Sequence, residues 1–255
     1  MLIQSPTHWD VAPAEISIDA DEVHVWRILP MNVPSKLSTY LKLLQEEELQ
    51  RFERFYRDEN RFEYLWAHGA LRVVLSRYLR IAPEGLRFAT NPYGRPYIAN
   101  RIPGKRLFFS LSHAEGLALL AVSRVEAVGV DVERFRKMAD IESIAAHHFS
   151  ENEIRKLASL NSQEQQHSFF RCWTRKEAVV KATGFGLSLD INQLEVTLLP
   201  SEEPAVVGCR WDVRNSSQWS LEDVVPAPGY FGAVALESPQ MNLSRFVLDE
   251  QAFAY

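Results

Sequence analysis

Two cysteines in 255 residues are too few for a disulfide framework. Cys172 and Cys209 also lack the paired spacing of a structural zinc site, and each has a tryptophan close by (Trp173, Trp211). They read as buried thiols of a protein kept in a reducing compartment. Long hydrophobic runs are missing as well: no apolar stretch approaches the roughly 20 residues that cross a bilayer. The first residues, MLIQSPTHWD, have neither the basic region nor the apolar run of a secretory signal, so the expected location is the cytoplasm, with no membrane partner. Positive charge is scarce. With 28 Lys and Arg against 33 Asp and Glu, the net charge is −5, which argues against a general nucleic-acid binder. Any affinity for phosphate has to come from a local cluster of cations.

What is present fits a globular protein: 46% of the residues are apolar and 24% charged. The length suits one large domain or two packed halves of about 120 residues each. The pattern favours the second, because the chain repeats itself. Apolar residues at helical spacing run from Pro34 to Arg80, including Leu49, Phe52, Phe62, Leu65, Val74 and Tyr78. The turn Asn91-Pro-Tyr-Gly-Arg-Pro96 follows, then strand-like runs Leu107–Ser112 and Leu117–Ser123, parted at Glu115-Gly116. In the second half, Ser150-Glu-Asn-Glu153 reads as a capping box opening a helix of about ten residues. A polar break at 161–166 leads to a second helix, His167–Thr183, stopped by Gly184 and Gly186. Strand-like runs come next at Gln193–Leu199, Cys209–Arg214 and Tyr230–Leu236. Each half ends on a glycine-led apolar strand, Gly116-Leu-Ala-Leu-Leu and Gly229-Tyr-Phe-Gly-Ala. The expected fold is α+β, a pseudo-twofold duplication of one unit, with halves 1–125 and 126–255 and the site in the cleft between them.

The chemistry lies in the second half. Along Ala127–Glu133 the valines 128, 130 and 132 share one face, and Gly129, Asp131 and Glu133 the other. Alternate strand residues stand about 6.5–7 Å apart, so two carboxylates can meet one cation. Oxygen ligands of this kind suit Mg²⁺ or Mn²⁺. Gly129 would leave room beside them for a bulky ligand. In Trp173-Thr-Arg-Lys-Glu-Ala-Val-Val-Lys181, helical spacing stacks Trp173, Glu177 and Lys181 on one face, with Lys176 flanking. A third carboxylate and two ammonium groups there suit a metal-bound pyrophosphate. Each pattern alone also fits an ordinary surface: a solvated edge strand, and a Glu–Lys pair worth a few tenths of a kcal/mol.

Together the two patterns resemble a known signature. Gly129-Val-Asp-Val-Glu133, followed by Trp173-Thr-Arg-Lys-Glu-Ala-Val-Val-Lys181, is similar to the paired motif of the phosphopantetheinyl transferase family, of the surfactin-synthetase-activating type. Asn91-Pro-Tyr-Gly-Arg-Pro96, Phe109-Ser-Leu-Ser-His113 and Gly184-Phe-Gly-Leu-Ser188 resemble its flanking motifs. The resemblance covers about Leu49 to Val196. It implies a monomer that transfers the 4′-phosphopantetheine of coenzyme A to a serine of an apo carrier protein (acyl, polyketide or peptidyl), releasing adenosine 3′,5′-bisphosphate. It implies Asp131, Glu133 and Glu177 as ligands of Mg²⁺ or Mn²⁺, and Glu177 and Lys181 as the catalytic pair. Coenzyme contacts would come from Arg51, Arg95, Ser112, His113, Lys176 and Lys181, with His113 and Arg51 near the 3′-phosphate. Arg51, Arg54, Arg57 and Arg61 are expected on one side of a helix, supplying the local positive charge. Glu48 stands where the family can carry a basic residue. The carrier is expected to dock on apolar residues around Ala145–Phe149 and Phe169–Trp173. A metal-dependent pyrophosphohydrolase and a non-catalytic coenzyme A or carrier-binding module are the alternative readings.

Overall fold

A computed structural model of the chain describes residues 8–30, 34–104, 106–210 and 216–248. The first half begins with β1 (Asp10–Val11) and β2 (Glu22–Ile28). Three helices follow: α1 (Pro34–Leu43), α2 (Glu46–Arg54) and α3 (Asp58–Leu79). A hairpin of β3 (Phe88–Thr90) and β4 (Pro96–Ile98) leads to a second hairpin, β5 (Phe108–Ala114) and β6 (Leu117–Ser123). The second half runs β7 (Val128–Arg134), α4 (Ile141–His148), α5 (Glu151–Ala158), α6 (Ser162–Thr183), β8 (Leu194–Val196), β9 (Val206–Cys209), β10 (Ser220–Asp223), β11 (Tyr230–Leu236) and β12 (Asn242–Val247).

The repeat anticipated from the sequence appears as repeated topology. In the first half β6 lies between β2 and β5, antiparallel to both; in the second, β11 lies between β7 and β10 in the same way. The glycine-led strands are thus inner strands of the two sheets. Between first and last strand, each half inserts helices that end in a 22-residue one, α3 or α6, and then a short hairpin, β3–β4 or β8–β9. The turn into β6 is two residues long and both lie in the left-handed region, Glu115 at φ 39° and Gly116 at φ 90°, as a tight hairpin requires. β12 pairs in parallel with β2 and so joins the first sheet.

Each long helix buries one face against its own sheet. Trp66, Ala70, Val74 and Leu75 of α3 join Trp26 and Leu120 in one core; Phe170, Ala178 and Val179 of α6 join Ala233 and Ala235 in another. A third layer, built from Val25, Leu119, Val130 and Val234, lies between the two. Where β7 meets β5 there is no backbone ladder. The Val130 N–H donates to Ser110 Oγ at 3.1 Å and the Val132 N–H to Ser112 Oγ at 3.4 Å, so serine hydroxyls satisfy an edge that would otherwise be buried unpaired.

Three local expectations are corrected. The helical stretch from 34 to 80 is three helices, so the arginine run is split: Arg51 and Arg54 on α2, Arg57 capping α3, Arg61 on α3. α6 starts five residues earlier than the expected His167, because Asn161 caps it, accepting from the Gln163 and Glu164 N–H groups. Gly129 makes room for backbone, not for a ligand. A Cβ there would lie 1.9 Å from the Ala178 carbonyl oxygen, so glycine is what lets α6 settle onto β7. Of the expected strand Cys209–Arg214, residues 211–214 lie outside the described residues.

Candidate active site

The close approach at Gly129 fixes the site. The turn of α6 that carries Ala178 and Ala182 against Gly129 also brings Lys181, and with it the i−4 residue Glu177, beside Asp131, two residues further along β7. Asp131 is 4% exposed. Its Oδ1 accepts from the Lys181 ammonium at 2.6 Å and from the Ser112 hydroxyl at 2.9 Å, and Lys181 also donates to Ser112 Oγ at 2.8 Å. Asp131 Oδ2 is buried without a hydrogen-bond partner. Ser112 comes from β5 and Lys181 from α6, so both halves contribute.

Electrostatics bind the three carboxyl groups together. Burial, then the charge of Asp131, pushes Glu133 up to about 7, and Glu177 adds to the shift. Glu177 is raised too, by burial and then by Asp131, while Lys181 pulls it down. Among the described residues no three acidic, histidine or cysteine side chains are drawn into a ready-made metal cage; the Lys181 ammonium lies against Asp131 instead. The donor set fits a hard divalent cation nonetheless: a buried orphan carboxylate oxygen and carboxyls that repel one another are what such an ion would relieve.

Lys181 lines a cleft of about 900 Å³, together with Arg51, His68, Arg95, Ser110 and His113. A second cavity, of about 940 Å³, lies on the other side of the β3–β4 hairpin against Tyr97, Phe108, Phe185 and Trp219. It reaches none of Asp131, Glu133, Glu177 or Lys181, whereas the first cleft has in its wall Lys181, which is bonded to Asp131, so the first is the candidate site. Arg51 extends over the Tyr64 ring at 5.6 Å, and His113 faces Glu63 at 3.3 Å.

Other expected site residues are placed differently. Ser112 is buried and holds Asp131 and Lys181, which makes it a support of the cluster. Arg95 lines the cleft, but its guanidinium donates to the carbonyls of Ala182 (2.8 Å), Glu126 (2.9 Å) and Val128 (3.0 Å), tying the β3–β4 turn to the end of α6 and the start of β7. A phosphate contact for Lys176 does not fit its position. Its ammonium is fully buried 2.5 Å from the equally buried Glu153, over the Phe149 ring, in the core of the second half. Within the expected docking stretches, Ala145, Phe149, Phe169 and Phe170 are buried in that same core, which leaves Ala146, His147 and the partly buried Trp173 at the surface. Sequence reasoning missed His68, Tyr64 and Glu63, which meet Arg51 and His113 in the cleft; no local motif marks them.

Known proteins are similar to both halves of the chain. The family model of the 4′-phosphopantetheinyl transferase superfamily matches residues 127–235, and that of the N-terminal region of 4′-phosphopantetheinyl transferases matches residues 30–125. The 4′-phosphopantetheinyl transferase HetI of Nostoc is 37% identical over 89% of this chain and 93% of its own length. A putative 4′-phosphopantetheinyl transferase of Synechocystis is 31% identical over 71% of this chain and 72% of its own. The 4′-phosphopantetheinyl transferase Sfp of Bacillus subtilis is 28% identical over 62% of this chain and 68% of its own.

Proposed function

The chain belongs to the 4′-phosphopantetheinyl transferase superfamily, and we propose that its cleft binds coenzyme A and delivers the phosphopantetheine arm to a serine of an apo carrier protein, releasing adenosine 3′,5′-bisphosphate. The observation that carries the reading is the cluster of Asp131, Lys181 and Ser112, joined through Lys181 to a cleft that is also lined by Arg51 and His113. Anionic groups of the coenzyme suit Lys181 and Arg51.

Asp131, Glu133 and Glu177 would hold Mg²⁺ or Mn²⁺, and the ion when bound would supply positive charge to offset the negative charge gathering on the departing nucleotide. Lys181, already at the mouth of the cluster, turns its ammonium to a phosphate oxygen and stabilises the transition state. Glu177, raised by burial and by Asp131, is a base nearer neutrality than an ordinary carboxylate and takes the proton from the carrier serine. That serine oxygen then bonds to the phosphorus bearing pantetheine as the bond to the nucleotide breaks. The working state is proposed to be a monomer, since one chain supplies both halves of the site.

The test is direct. Incubated with apo carrier protein, coenzyme A and Mg²⁺, the protein should raise the carrier's intact mass by one phosphopantetheine, and EDTA should abolish the gain. Free nucleotide without carrier modification would instead support pyrophosphate hydrolysis. Coenzyme binding with neither product would support a binding module.

The carboxyl cluster adds a prediction for stability. Glu133 titrates at about 7 in the fold against 4.5 for the free side chain. A carboxyl raised in this way favours the folded state at low pH and loses that advantage as pH rises through the window between those values. A divalent cation reverses the loss. Melting curves should therefore show a larger upward shift on adding Mg²⁺ at about pH 8 than at about pH 5.5. Equal shifts at both would separate the ion from this cluster.

A further inference from the structure

Glu48 brings negative charge to the cleft edge where the resemblance leads one to expect a cation, yet its carboxylate is fully engaged. Oε2 accepts from Arg72 through both Nε, at 3.1 Å, and the second terminal nitrogen, and from the Gln45 N–H at 2.9 Å; Oε1 faces His68 Nδ1 at 3.3 Å. Arg72 is fully buried and anchored to the carbonyls of Pro83 (3.2 Å) and Leu86 (3.0 Å). Burial alone would raise Glu48, but the bonds from His68, Gln45 and Arg72 outweigh it and hold the group below the usual carboxylate range. Glu48 is therefore ionised, and an ionised acceptor opposite Nδ1 fixes the hydrogen on that nitrogen.

His68 is thereby oriented. Its ring stacks on Tyr64, centroids 3.9 Å apart, which restricts its rotation. Nε2 has no partner among the described residues, and the residue lines the cleft. Arg51 lies over the same Tyr64 ring and has no carboxylate partner among the described residues. Burial above all, and then the charges of His113 and Arg51, hold His68 below the ordinary histidine range against the pull of Glu48. Three groups able to carry positive charge therefore converge in the cleft. Glu48 beside His68 and Glu63 beside His113 each offset one of them, while Arg51 faces no carboxylate among the described residues, so the set can still take up an anion. An incoming phosphate monoester also favours the imidazolium, whose Nε2–H then donates to it while Nδ1–H stays on Glu48.

We propose that His68, oriented by Glu48 and Arg72, contacts the 3′-phosphate of coenzyme A and sets the preference for coenzyme A over its 3′-dephospho form. The residue that Glu48 denies the cleft directly is supplied one helix away. This rests on the reading of the cleft as a coenzyme site, and the experiment separates the two.

Binding of coenzyme A and of 3′-dephospho-coenzyme A should be measured by calorimetry for the wild type, His68→Gln and His68→Arg. Loss of one charge-assisted hydrogen bond should weaken coenzyme A by about tenfold or more in His68→Gln. The same variant should bind the dephospho form within about twofold of the wild type. His68→Arg, which restores a cation, should recover most of the discrimination. Because the dephospho ligand reports on folding of the same cleft, a general structural defect would weaken both ligands alike; that result, or no change in either, overturns the assignment while leaving the coenzyme reading in place. A wild type that binds neither ligand overturns both.

Discussion

Replacing Glu177 with Gln should reduce transfer to the carrier by about 10²–10⁴-fold, the usual contribution of a positioned general base. Glutamine keeps the shape of the side chain and its place on α6, so the packing of Ala178 and Ala182 against Gly129 is untouched. It removes the proton acceptor and one negative charge from the cluster. Since Asp131 is among the causes that hold Glu177 up and Lys181 opposes it, losing this charge also relaxes the repulsion on Glu133. Coenzyme A, held mainly from Lys181, Arg51 and His113, should bind Glu177→Gln with little change in affinity. Transfer rates and calorimetric binding together check the expectation. Near-normal turnover would remove Glu177 from proton transfer, and a matching loss of binding would make it a ligand-holding group only.

The largest effect on stability is expected at Lys176, the residue directly before Glu177 on the same helix. Lys176→Met should cost about 3–5 kcal/mol, because it leaves the fully buried Glu153 carboxyl with no cation beside it. In a chain of this size that lowers the melting temperature by roughly 10 °C. Glu153 also accepts from the Ser150 N–H at 2.7 Å and the Val196 N–H at 2.8 Å, so its oxygens pin the start of α5 and the strand β8. The double variant Glu153→Gln with Lys176→Met removes both charges but keeps only one of those two acceptors, because the amide nitrogen donates, and should regain part of the loss. Chemical denaturation of the three proteins measures this. Coenzyme affinity of the folded single variant should be unchanged; a weakened coenzyme A complex would restore the phosphate-binding role that its burial argues against.

The contrast between Lys176 and Lys181 shows what the sequence discloses. Both belong to one motif, and helical spacing alone placed Glu177 and Lys181 on a shared face with Lys176 to the side. Which way that side points depends on Glu153, on a different helix, and no local pattern encodes the pairing. Asp131 and Glu133 were legible because a strand's two-residue period is local. Strands β6 and β11 were legible to the residue, since their apolar runs follow left-handed glycines at 116 and 229. The break between α2 and α3 was not. No proline or glycine marks it, and the chain bends at Phe55, which packs on Tyr64 with centroids 5.3 Å apart: tertiary packing overrode a continuous helical pattern. The start of α6 was misread for the opposite reason. Its first turn, Ser-Gln-Glu-Gln-Gln, has no apolar period, and Asn161 with Glu164 was the available cap signal. His68 depends on contacts from Glu48 and Tyr64 that only the folded chain makes.

Diffraction from crystals grown with coenzyme A and Mn²⁺, at a wavelength where manganese scatters anomalously, tests the central claim most directly. The account predicts a single strong anomalous peak bounded by Asp131, Glu133 and Glu177, with Lys181 turned to the pyrophosphate and the 3′-phosphate beside Arg51 and His113. A peak elsewhere, or coenzyme seated in the cavity of Tyr97, Phe108 and Phe185 across the β3–β4 hairpin, would contradict it.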